Sequence, residues 1–180
     1  MNNIVEQKFF IYTDSVKKSL KEENWTAALS LSLIIPDMCS NLEYFDLKEV
    51  GIRYRKWFDN YLHGEYNDWH PMMSAYDFYA LRCAYLHAGE SDISGNKQRK
   101  IVDEFKFMAP KVNDGIFSGS HKIKIDNYLI LRVDLFCLEI CEAVKKWISK
   151  NKDNKKVQIG VSKIIEIKDA SINYSGVFVE

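Results

Sequence analysis

The segment of this chain whose residue types are those of a reaction is Arg82-Cys83-Ala84-Tyr85-Leu86-His87. Arginine is charged at every physiological pH, and its fork of N–H donors matches phosphate oxygens. Histidine titrates near neutrality and can accept or deliver a proton. Together they hold what metal-free RNA cleavage requires. A base takes the proton of a ribose 2′-hydroxyl, and a cation stabilises charge at the phosphorus under attack. Five positions along a helix set the two Cα atoms about 140° apart. The pair meets only if the Arg82 side chain curls round or the helix loosens near His87, with Gly89 two residues later. One histidine cannot be base and acid at once, so a complete site calls for a second copy about a two-fold axis.

Other chemistries find no footing. There is no phosphate-cradling Gly loop, no Gly-x-Ser-x-Gly and no His-Glu-x-x-His. Cys39, Cys83, Cys137 and Cys141 are too few for a disulfide scaffold. Cys137 and Cys141 share a helix face but have no further Cys or His nearby, so neither a metal nor a cofactor is expected and the thiols read as buried and reduced. The chain has 180 residues with Lys+Arg 25 and Asp+Glu 25, a formal net charge of +0, which excludes a polycation that binds nucleic acid through bulk charge. With 47% hydrophobic and 13% aromatic residues it can build a packed core. No basic, then apolar leader opens the sequence, and the apolar runs fall short of the ~20 residues of a membrane span. A soluble, cytoplasmic protein with no membrane partner is the expectation.

The elements that must position Arg82 and His87 follow from periodicity. Val5, Phe9, Tyr12, Val16 and Leu20 recur at helical steps. Asn24 caps a second helix, nearly apolar all round and therefore central, which Pro36 ends or kinks. Val50, Tyr54, Trp57, Phe58 and Tyr61 mark a third over 47–62, followed by a polar connection with Gly64 as a stop. Ser74 with Asp77 opens a fourth, which carries the Arg–His pair and closes at Gly89. Residues 104–131 alternate like strands and contain the turn chemistry Asn113-Asp114-Gly115, so a small antiparallel β insertion is expected there. A last helix spans 133–150. A basic linker and a β-rich tail are then expected, with Ile164, Ile165, Ile167, Tyr174, Val177 and Val179 as its strand residues. The fold class is mainly α, a bundle of about five helices over 1–150, with 151–180 as linker and tail.

The arrangement resembles the HEPN superfamily, whose helical bundles carry Arg, four to six residues, then His near the end of the bundle. The resemblance covers roughly residues 5–150 and rests on Arg82 and His87, on the helix that carries them, and on the β-rich insertion before the last helix. It implies a homodimeric, metal-independent endoribonuclease with a composite interface site, in antiphage defence or a toxin–antitoxin system, partnered by RNA and by an antitoxin or defence-complex protein. Two positions depart from the common form. Cys83 stands where Asn, Asp or His often follows the Arg, and His87-Ala88-Gly89 lacks the Tyr of many toxin members. A fold of this kind without catalysis, acting as a nucleic-acid-binding or regulatory module, is the alternative.

Each candidate has a competing structural role. Arg82 can pair with Asp77 or Glu90, and His87 can sit against the last helical carbonyls. Asp37 can orient the Arg or the His, or cap the segment after the Pro36 kink. Asp77 and Tyr85 are the other candidate supports, Tyr85 with core packing as its rival. Lys145, Lys146 and Lys150 are the expected RNA-binding residues, within a run that extends to Lys156. Lys97, Arg99 and Lys100 form a second basic group, and Arg53, Arg55 and Lys56 a third. His63, His70 and His121 have no carboxylate-rich sequence context and read as bland.

Overall fold

The computed structural model describes residues 3–68, 70–113 and 116–167. Seven helices lie among these residues: α1 (Ile4–Lys21), α2 (Trp25–Glu43), α3 (Val50–Tyr61), α4 (His63–Asn67), α5 (Ala75–Ala88), α6 (Val133–Asn151) and α7 (Lys155–Val161). The strands are β1 (Glu104–Met108), β2 (Lys111–Asn113), β3 (Ile116–Ser118), β4 (Ile123–Ile125) and β5 (Tyr128–Arg132). No helix among the described residues is long and apolar enough to cross a membrane.

Helix α2 is the hub and packs against α1, α3, α5, α6 and α7. It passes through Pro36 without breaking. Pro36 cannot donate to the Ser32 carbonyl, and at the next residue the Tyr54 hydroxyl of α3 donates to the Leu33 carbonyl at 3.1 Å. Aromatic contacts carry the core onward. Phe78 of α5 lies 5.0 Å from Tyr54 and 5.3 Å from Phe58 between ring centroids. It also meets Phe136 of α6, which Phe107 of β1 approaches edge-on at 5.2 Å. These contacts fix α5, the helix of the Arg–His pair, against α3, α6 and the sheet.

Three expectations are corrected. The β insertion is mixed, not purely antiparallel: β5 pairs parallel with β1 and antiparallel with β4, while β2 and β3 form a separate antiparallel pair. Its expected turn residues Asp114 and Gly115 lie outside the described residues. The polar connection at Gly64 is the short helix α4, with Tyr66 buried beneath it. Residues 155–161, read as linker and strand, are helix α7, whose Val157 and Val161 are buried and which packs on α1 and α2. Ile164, Ile165 and Ile167 lie in no strand, and Tyr174, Val177 and Val179 lie outside the described residues.

Asp77 is fully buried and ties the start of α5 to the loop before the sheet. One carboxylate oxygen accepts from the Ser74 backbone at 2.9 Å and from its hydroxyl at 2.6 Å, which completes a capping box. The other accepts from the amides of Lys100 at 2.6 Å and Ile101 at 3.1 Å. Asp77→Ala strands these donors and is expected to cost about 3 kcal/mol, a fall in Tm of roughly 6–12 °C by thermal denaturation. Ser74→Ala, which removes only the cap, is expected to cost about 1 kcal/mol.

Candidate functional site

The pair meets while the helix stays intact. α5 continues through Ala88 and closes at Gly89, whose φ of 72° is the left-handed conformation that glycine adopts without strain. Across the 140° offset the side chains reach toward each other, and Arg82 Nη1 lies 3.4 Å from His87 Nε2. Arginine can only donate, so a hydrogen bond across this contact uses the lone pair of a neutral Nε2.

Asp37 supplies the third member. It sits in mid-helix on α2, where no cap is needed, and accepts from Arg82 Nη2 at 2.7 Å. Burial lowers the tendency of Arg82 to hold its proton, but the Asp37 carboxylate together with Cys83 and Tyr54 outweighs it, and the guanidinium is held more firmly charged than usual. The side chains of Arg82 and Asp37 are 18% and 22% exposed, so the ion pair lies at the edge of the core, screened from water on one side. Arg82 Nε is buried with no hydrogen-bond partner among the described residues. Of the two rival roles for Asp37, orientation of the Arg matches its position and capping does not.

The other candidates lie apart from this trio. The contacts of Asp77 are to Ser74, Lys100 and Ile101, so it holds the helix that carries the pair and does not touch Arg82. Tyr85 is partly buried and reaches the Thr26 carbonyl at 3.5 Å. Lys145 and Lys146 pair with Glu142 and Glu65, and Lys150 lies 3.7 Å from Glu43 and over the Tyr61 ring. Burial pushes Cys137 and Cys141 up to about 12 and about 11, so these thiols stay protonated. Among the described residues no group of three or more His, Cys, Asp or Glu could hold a metal ion.

His121 has the carboxylate partner that its sequence neighbours lack. Its Nε2 lies 3.0 Å from Glu139 of α6, and its Nδ1 accepts the Arg132 amide at 3.1 Å. Glu139 also accepts from the Tyr66 hydroxyl at 2.6 Å and from Lys122 at 2.6 Å. Every polar group in this cluster has a partner, so it acts as a rivet between the sheet, α4 and α6. Burial pushes the Glu139 carboxyl up, but the hydrogen bonds from His121, Lys122 and Tyr66 outweigh burial and hold it below its ordinary value. A carboxyl so held stabilises the fold above the unfolded-state value of 4.5, and that contribution is lost as pH falls through the lower folded value. Glu139→Gln is expected to cost about 2 kcal/mol at pH 7. The Tm gap to the unaltered protein is expected to narrow as a titration series descends below 4.5.

No known protein family matches this chain, and no curated protein or solved structure was found to match it.

Proposed function

We propose that the chain is a metal-independent endoribonuclease of the HEPN kind that works as a homodimer, in antiphage defence or a toxin–antitoxin system. The observation that carries this reading is the contact of Arg82 with His87, held from behind by Asp37. In the proposed step, His87 Nε2 takes the proton of a ribose 2′-hydroxyl and that oxygen forms a bond to the adjacent phosphorus. The bond to the 5′-oxygen breaks, leaving a 2′,3′-cyclic phosphate, and His87 of the partner subunit protonates the departing oxygen. Arg82 stabilises the charge that builds on the phosphoryl oxygens. Asp37 is a positioning residue that aims the guanidinium.

The Asp37–Arg82 ion pair also favours a second reading. A guanidinium already neutralised by a carboxylate suits a binding or regulatory module that keeps the fold without the reaction. One experiment separates the two. Purified protein is incubated with a labelled single-stranded RNA in excess chelator, and the products are resolved by length and end group.

Under the ribonuclease reading, cyclic-phosphate ends appear. Arg82→Ala and His87→Ala each cut the rate at least 100-fold, the scale of losing an electrostatic or acid–base group. Asp37→Asn cuts it about 10-fold, in kcat and not in KM. Cleavage that survives both alanine changes, or that needs added metal, rejects this reading. RNA bound but left intact supports the binding module.

A further inference from the structure

The basic residues expected to carry nucleic acid on α6 are engaged with carboxylates, whereas Arg55 and Lys100 face an aromatic ring instead. Arg55 of α3 places its guanidinium 4.5 Å from the Tyr76 ring centroid, and Lys100 places its ammonium 5.4 Å from the same ring. Gln98 braces Arg55 at 3.2 Å. Among the described residues neither Arg55 nor Lys100 nor the exposed Lys97 is in an ion pair, whereas Arg99 is paired with Asp103. Arg55 and Lys100, from two basic groups far apart along the chain, thus converge on one exposed aromatic. Tyr76 is 40% exposed. Acids lie nearby as well: Asp59, one turn along α3 from Arg55, is 3.9 Å from His63, and Asp103 holds Arg99.

Tyr76 opens a stripe along α5. Tyr76, Tyr79, Cys83 and His87 fall within about 80° of arc on the helix and span about 16 Å along it. Gly51 lets α3 pack directly on the stripe at Tyr79, because a Cβ there would stand 2.9 Å from the Tyr79 ring and 3.1 Å from Arg55 Nη1. Beside this stripe, Ala80, Cys83 and Ala84 border a cleft of about 530 Å³ that Glu90 and Asp92 help to line. The cations gather at the Tyr76 end of the stripe and the carboxylates border it near Cys83, so the Tyr76 end is the part complementary to a polyanion with stacking bases.

We infer that the Arg55–Tyr76–Lys100 face is a track for single-stranded polynucleotide, about 16 Å along α5 from His87. Phosphates meet Arg55, Lys97 and Lys100, and a base packs on the exposed part of Tyr76. The track rests on the ribonuclease reading only for where the strand ends. Its chemistry suits RNA and DNA alike, and the 2′-hydroxyl restricts cleavage, not binding, to RNA.

The test is fluorescence anisotropy with a labelled 12-nucleotide single-stranded RNA, its DNA counterpart and an RNA duplex, in a His87→Ala background that prevents turnover. Tyr76→Ala is expected to weaken single-strand binding about 10-fold, with Tyr76→Phe near the starting affinity. Arg55→Gln and Lys100→Gln are each expected to weaken it several-fold, and each to lower the slope of log affinity against log salt by about 0.7. Circular dichroism confirms that each variant is folded.

Unchanged binding in Tyr76→Ala and Arg55→Gln overturns the track. So does a loss confined to Lys145→Gln, Lys146→Gln and Lys150→Gln, or tighter binding of duplex than of single strand. Failure of the cleavage reading gives a different pattern: oligonucleotide bound through Tyr76 and Arg55, with no product formed by the His87-containing protein.

Discussion

The burial of α2 is the constraint on which the arrangement depends. Five helices cover it, and its face is apolar enough to accept them: Ala28, Leu29, Leu33, Ile35, Cys39 and Leu42 are all buried. Only a narrow strip is left to water, with Thr26, Ile34 and Asn41 exposed and Asp37 partly so. A carboxylate on so covered a helix needs a partner, since an unpaired charge at the edge of a core is costly. Arg82 provides it and is drawn inward from α5. The position of the candidate site thus follows from the packing of the hub, with the two charges that cannot enter the core marking where the site opens.

The helices could be read from the sequence because each buries one face at helical spacing, and that signal is local. The strands could be placed but not paired. Alternation in Phe105 to Phe107 says that β1 exists, whereas its parallel neighbour β5 begins beyond three intervening strands. Helix α7 was hidden because Val157, Ile159 and Val161 alternate over a short stretch, and alternation of three apolar residues fits a strand as well as a helix docked by two of them. The Arg82–His87 spacing was visible, but their meeting depends on side-chain reach, which periodicity does not contain. His121 was missed for a related reason. Its carboxylate lies 18 positions away on another element, and its orientation depends on the Arg132 amide.

Zero net charge conceals a sorted surface. Carboxylates on and beside α6 engage Lys145, Lys146 and Lys150, while the Asp77 carboxylate is spent on backbone amides and so leaves the adjacent Lys100 ammonium without competition. Exposed ion pairs of the α6 kind contribute little to stability. Their effect is on the field, because they cancel positive potential on one face and leave it standing on another.

The first and last helices of the described chain are fastened to each other. Asn3 caps α1 and its side-chain amide also donates to the Lys152 carbonyl at 3.0 Å, Lys152 pairs with Glu6, and α7 then lies across α1 and α2. The contact spans 149 residues and ties the start of α1 to the turn that leads into α7. Peeling α1 exposes the seat of α7, and lifting α7 uncovers part of α1, so each helix shields the other from local opening.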